Sequence, residues 1–114
     1  MPQDPHALSG YRAMWLFAMF DLPVDTPAHR RAYTQFRKAL LERGFMMLQY
    51  SVYVRYCSCE EVGQRYIRQV RRLLPEEGQV RFLMVTDRQF GKMQSYIGRK
   101  RTANEEPPAQ LELF

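Results

Sequence analysis

An α+β domain, an antiparallel sheet with two helices laid on one face, is the fold class that three features of the sequence predict. Residues 13–21, Ala-Met-Trp-Leu-Phe-Ala-Met-Phe-Asp, are eight apolar residues in a row that end on a carboxylate. A membrane span takes about 20 such residues, and the run does not alternate as a strand with one wet face does, so it reads as a central strand covered on both sides. Two later segments place apolar residues at helical spacing, and each carries arginines on the opposite side. Aromatic and β-branched runs lie between and after them, so strands and helices interleave in a chain of 114 residues, the size of one domain.

Composition narrows the partners. Seventeen Lys plus Arg against 12 Asp plus Glu give a formal charge of +5 and a pI near 9.5, which suits a polyanion such as nucleic acid. An aromatic share of 13% and a hydrophobic share of 46% argue for a folded chain rather than a disordered basic arm. Cys57 and Cys59, the only cysteines, are expected on opposite faces of one strand, with no disulfide between them. His6 and His29 are too few to complete a four-ligand zinc site. Reduced thiols and the lack of an apolar signal core in the first ten residues imply a cytoplasmic protein with no membrane partner.

In chain order, residues 1–11 form a flexible leader in which Pro2, Pro5 and Gly10 deny regular structure. The central strand spans residues 12–20. Asp21 follows where the chain leaves the core through Leu22-Pro23-Val24, and there it either starts a turn or does chemistry. Asp25 or Thr26 caps a helix over residues 27–43, with Pro27 in its first turn and Gly44 at its stop. Ala32, Tyr33, Phe36, Ala39 and Leu40 share one arc of it, and Arg30, Arg31, Arg37 and Lys38 the other. Residues 45–56 are one bent strand or two pieces joined near residues 49–51. Ser58 is expected to cap a second helix over residues 60–74, opened by Glu60 and Glu61 and closed by Arg71 and Arg72 to match its dipole.

That helix repeats the pattern of the first. Val62, Tyr66, Ile67, Val70, Leu73 and Leu74 face in, while Arg65, Arg68, Arg71 and Arg72 face out as a solvated surface or a second cationic stripe. A turn over residues 75–78, a strand over 80–86, a helical turn over 87–93 and a short strand over 94–97 complete a domain of residues 12–98. Residues 99–114 are a tail, with a polar, proline-bearing linker over residues 102–108. Its alternating end, with Leu111, Leu113 and Phe114, suits strand addition to another sheet's edge or packing back on its own domain.

The order βαββαβ is a ferredoxin-like pattern. Two helices cover one face of such a sheet, yet the central strand is apolar on both. A second copy of the chain is the simplest cover for the other face. A two-fold homodimer packed sheet to sheet would carry two copies of Asp21 toward its axis, where two carboxylates share a Mg²⁺ ion that one holds poorly.

An apolar first strand ending in Phe20-Asp21-Leu22-Pro23, a helix with Arg30-Arg31 and Phe36-Arg37-Lys38, then Gly44-Phe45 leading to Gln49-x-Ser51-Val52-Tyr53, together resemble CRISPR-associated protein 2. This family of small ferredoxin-like homodimers belongs to the spacer-acquisition machinery, and the similarity covers about residues 12–98. The leader departs from a family whose first strand begins near the initiator methionine. The resemblance implies a CRISPR adaptation protein whose homodimer bridges two dimers of the integrase subunit, CRISPR-associated protein 1, in a heterohexamer. Duplex prespacer DNA would lie across it, with Arg30, Arg31, Arg37, Lys38, Arg65, Arg68, Arg71 and Arg72 gripping backbone phosphates without reading bases. Leu111, Leu113 and Phe114 resemble the segment that some members add as a strand at the integrase or dimer contact.

The family is also described as a metal-dependent endonuclease, acting on RNA or DNA in different members, and Asp21 matches the catalytic position credited with holding Mg²⁺. The residues themselves offer no evident base. Asp25 is better taken as a helix cap, Asp87 lies at another strand's end, and neither histidine has a carboxylate partner in view. Hydrolysis does not require such a base, because a metal ion can activate water itself. Two other classes fit the same pattern: a toxin-like metal-dependent ribonuclease on this fold, and a non-catalytic RNA-binding module whose Tyr50, Tyr53 and Tyr56 stack bases, although the octapeptide of that module is missing.

Overall fold

The computed structural model describes residues 12–108; the leader, and with it the proposed partner-binding residues Leu111, Leu113 and Phe114, lie outside the described residues. The elements run β1 (Met14–Asp21), α1 (Pro27–Glu42), β2 (Met46–Gln49), β3 (Val52–Cys57), α2 (Glu60–Arg71), β4 (Gln79–Thr86), α3 (Asp87–Gly91), β5 (Ser95–Ile97) and β6 (Lys100–Thr102). The first four strands form one sheet in the order β2-β3-β1-β4, antiparallel at each pairing. This is the ferredoxin-like α+β arrangement that the element order predicts.

The continuous apolar run of β1 resolves into two sides. Met14, Leu16, Ala18 and Phe20 pack with Phe36 and Leu40 of α1 and Val62 and Val70 of α2 in one core. Trp15 instead joins Val54, Tyr56 and Phe90 in a second core on the sheet's other face, with Phe17, Leu48, Val85 and Met93 against it. Burying each large apolar side chain contributes roughly 1.5–3 kcal/mol relative to exposure, so a central strand buried on both sides is the element on which the fold is built.

The second face is therefore not wholly left to a partner. The five-residue α3 folds back over the sheet and lays Phe90 flat on Trp15, ring centroids 4.1 Å apart and 11° from parallel. The Trp15 indole N–H donates to Asp87 Oδ1 at 2.7 Å. This cover reaches only the Trp15 end. Phe17 still meets Phe90, ring centroids 5.8 Å apart, but toward Asp21 Leu83 is 50% exposed and Met19 is half-buried.

Local chemistry explains the boundaries. Thr26, extended at the N-cap, accepts from the His29 backbone N–H, with Pro27 in the first turn. Gly44 follows α1 at φ +83° in the left-handed conformation of a helix C-terminal glycine. The long strand segment divides as expected: β2 and β3 join through Tyr50 and Ser51, with a register shift between Met47 and Gln49. Asn104 lies in the stretch assigned to a linker, yet it ties the chain beyond the β5–β6 hairpin to the end of α3, donating to the carbonyls of Met93 at 2.6 Å and Phe90 at 3.2 Å.

Three expectations are corrected. Cys59, not Ser58, is the N-cap of α2, and it makes no side-chain capping bond. The chain stays extended one residue further than the sequence suggests, leaving the Ser58 hydroxyl buried without a partner. Helix α2 ends at Arg71: in a continued helix Pro75 would have no N–H for the Arg71 carbonyl, and its ring would clash with it; Leu73 and Leu74 are 42% and 40% exposed. Cys57 and Cys59 do not point to opposite faces: residues two apart on extended backbone share a face, and both side chains enter the same helix-side core with no disulfide between them.

Candidate functional site

The strand end is built tightly around an open carboxylate. The Phe20 ring faces the helices, edge-on to Phe36 at 5.2 Å and stacked on Tyr53 at 5.6 Å. Strand alternation sends the next side chain, the exposed Asp21, to the opposite side of the sheet. Asp21 pairs with Gln79 and Met19 with Arg81, so the exposed Arg81 stands diagonal to Asp21 on that side. Sequence reasoning did not single out Arg81. Gly78, at φ +98°, lets β4 start flush against this strand end: a Cβ there would lie 2.7 Å from the Asp21 carbonyl oxygen. Among the described residues no three His, Cys, Asp or Glu side chains gather to hold a metal ion. At this strand end one chain offers a single exposed carboxylate, of the oxygen-donor type that Mg²⁺ takes.

The basic residues are where the helical periodicity puts them. Arg30, Arg31, Arg37 and Lys38 are exposed on α1, and Arg65, Arg68, Arg71 and Arg72 on α2 and its C-cap. Among the described residues the ion pairs are both on His29, so none of these eight cations is neutralised by a described carboxylate. Two are pre-oriented: Arg30 donates to the Val24 carbonyl at 3.1 Å, and Arg37 donates through Nε to the Tyr53 hydroxyl at 2.7 Å. The helices cover one face of the sheet and Asp21 points to the other, so the cationic faces and the carboxylate are not brought together within one chain.

His29 departs from expectation. Its Nδ1 lies 2.6 Å from Asp25 Oδ1 and its Nε2 2.8 Å from Glu77 Oε2. A neutral imidazole donates through one nitrogen only, so serving two carboxylates requires the imidazolium. The hydrogen bond that His29 donates to Asp25 first, and then the charge of Glu77, raise the His29 pKa above its ordinary 6.5; accepting that bond lowers the pKa of Asp25. The helix cap is Thr26, which leaves Asp25 free for this pairing. Both ring nitrogens are committed, so His29 is a clip between the start of α1 and the turn before β4, not a free base. The Asp25–His29 half carries a readable i, i+4 spacing; Glu77 is invisible to local pattern.

Arg55 was likewise missed. This buried guanidinium on β3 donates to the Arg43 carbonyl at 2.7 Å and the Tyr66 hydroxyl at 2.8 Å, and lies 3.8 Å over the Tyr66 ring. It clasps the end of α1 to α2 and so fixes the two cationic helices relative to each other. Of the tyrosines proposed for base stacking, Tyr53 and Tyr56 are 1% and 9% exposed, whereas Tyr50 is 71% exposed. A sheet-face platform of the RNA-binding-module kind is therefore not available.

A sequence profile of the family described as CRISPR associated protein Cas2 matches residues 14–93, from the first residue of β1 to two residues past α3. The chain belongs to the Cas2 family. It is 50% identical over 101 residues to the CRISPR-associated endoribonuclease Cas2 of Parvibaculum lavamentivorans, covering 89% of this chain and all of that one. Its identity to the Cas2 of Paracidovorax avenae is 46% over 107 residues, 94% of this chain and 99% of the relative. The Flavobacterium psychrophilum Cas2 is 40% identical over 107 residues, 94% of this chain and 93% of that protein. These Cas2 relatives are named endoribonucleases, an activity stated of them.

Proposed function

We propose that this Cas2-family chain works as a homodimer in CRISPR adaptation, bridging two dimers of CRISPR-associated protein 1 in a heterohexamer and holding duplex prespacer DNA. The observation that carries the DNA-holding role is the pair of cationic helix faces without carboxylate partners among the described residues. Exposed arginines along two helices suit backbone phosphates, whose recognition is independent of sequence. The uncovered half of the second face, with Met19 and Leu83, supports pairing with a second copy. Asp21 stands at its edge.

The second activity is Mg²⁺-dependent cleavage of a phosphodiester, of RNA on the precedent of the relatives' names. Asp21 from each copy would hold the ion, and Arg81, diagonal to it, would take a phosphate oxygen. The chemistry Mg²⁺ supplies when bound is charge neutralisation at the phosphate and acidification of a water molecule. Because Asp21 points away from the helices, holding DNA and cutting are separable. Leu111, Leu113 and Phe114 are proposed to add a strand at the integrase or dimer contact.

The test is co-expression with the integrase subunit. The tagged chain should co-purify with it as a complex of four integrase copies to two of this chain, and duplex DNA should increase recovery. A chain that purifies alone, with DNA and without, refutes the bridging role.

A further inference from the structure

We infer that Tyr50, backed by Tyr33 and flanked by Arg30 and Arg37, is a stacking platform for an unpaired nucleotide of DNA or RNA. The inference rests on α1 being a nucleic-acid face and adds what a phosphate clamp lacks, a grip on a base.

Tyr50 is 71% exposed at the β2–β3 turn. Its inner side is already occupied: the Tyr33 ring lies behind it, centroids 6.0 Å apart and 20° from parallel. The outer face is left open, so a base laid there would extend an existing stack rather than meet a loose side chain. The turn that presents Tyr50 is fixed on several sides. Ser51 is held at φ +61°, a left-handed backbone unusual for a residue with a side chain, which persists only where the surroundings enforce it. Those surroundings are a bond from the Phe20 N–H to the Ser51 carbonyl at 3.0 Å and a hydroxyl contact of 3.1 Å between Tyr33 and Ser51. A tyrosine held in place loses little freedom on binding.

Cations flank the stack. Arg30, Tyr33 and Arg37 are three and four residues apart along α1, so they lie on one stripe. Each arginine spends one donor on the protein, which orients it, and a guanidinium has five N–H groups, which leaves the others for phosphate. An aromatic between backbone-binding cations is the arrangement that holds single strands through stacking without hydrogen-bond readout. Inside a duplex the base faces are stacked on one another and only their edges show, so away from its ends a duplex has no face to offer Tyr50, and the platform selects unpaired nucleotides.

The experiment measures anisotropy of fluorescein-labelled probes on the full chain and its Tyr50→Ala and Tyr50→Phe variants. The probes are a short oligothymidylate, an oligouridylate of equal length, an abasic strand of equal charge and a duplex long enough that its two ends are a small share of the sites. Tyr50→Ala is expected to weaken binding of at least one single strand roughly tenfold, the loss of one base–aromatic stack. Tyr50→Phe should stay within about twofold of the unaltered chain, because the ring face is what matters. Abasic and duplex binding should not change. The two based strands distinguish DNA from RNA as the ligand. Equal weakening on the abasic strand, no weakening on either based strand, or a changed sedimentation mass for Tyr50→Ala overturns the inference, the last by making Tyr50 an interface between chains. A chain that fails to bind duplex while Tyr50 still governs the single strand would instead remove the clamp and leave the platform.

Discussion

Replacing Arg30, Arg31, Arg37 and Lys38 of α1 by alanine tests the phosphate clamp through its salt dependence. Each phosphate contact contributes about −0.9 to the slope of log K against log salt for duplex DNA. None of the four has a carboxylate partner among the described residues, so each side chain offers its full charge. If all touch phosphate, the slope should flatten by about 3.6 per chain. Between roughly 50 and 200 mM salt that is about two decades, so the unaltered chain should lose on the order of 100-fold more affinity over this range than the variant. Stability is a separable effect. Arg31 and Lys38 hold no described partner, whereas Arg37 serves the buried Tyr53 hydroxyl. Arg37→Ala should cost about 1 kcal/mol for the unsatisfied group, visible in urea unfolding. The pair Arg31→Ala, Lys38→Ala should be within about 0.5 kcal/mol of neutral and still flatten the slope by about half as much. Titrations at four salt concentrations give the slopes, and an unaltered slope in the quadruple variant would return these residues to ordinary solvated surface.

Asp21→Ala should abolish Mg²⁺-dependent cleavage of an RNA probe and leave duplex binding nearly unchanged, because the carboxylate points away from the cationic helices; retained cleavage on a gel assay removes Asp21 from the mechanism. The His29 clip has a worked pH sign. The raised His29 pKa makes its contribution complete below about 6.5 and lost as pH rises through the folded value, while the lowered Asp25 pKa makes its share present above 3.8 and lost on acidification. His29→Ala should therefore lower Tm more at about pH 5.5 than at about pH 8.5, and an equal loss at both contradicts a charged clip. Phe90→Ala should destabilise by about 3–5 kcal/mol, measured by urea unfolding, because it removes the ring stacked on Trp15; a loss under about 1 kcal/mol would mean that α3 does not cover the sheet.

What the sequence made legible was whatever its own neighbours enforce. The run from Met14 to Phe20 announces burial on both sides of β1 because every position is apolar, and Pro27, Thr26 and Gly44 mark the ends of α1 by backbone preferences within a few residues. The side on which Asp21 stands also follows from alternation with Phe20. The cover of Trp15 was hidden because α3 is five residues long and has no periodicity to detect; only the fold brings Phe90 across the sheet. For the same reason the Glu77 end of the His29 clip and the stack of Tyr33 on Tyr50 could not be read, each joining elements far apart in the chain. Arg55 shows the reverse failure. A polar residue within a strand reads as facing water, but the Arg43 carbonyl and Tyr66 satisfy it inside.

The shared Asp21 site and the bridge both require pairing through the half of the sheet that α3 leaves uncovered, where Met19 and Leu83 lie toward Asp21. Sedimentation equilibrium across a concentration series addresses this directly. A mass twice that of the chain, falling to that of one chain when Leu83 is replaced by Arg, is the expected result. A single-chain mass for the unaltered protein at the highest concentration would contradict the pairing, and the shared Asp21 site and the bridge between integrase dimers would fall with it.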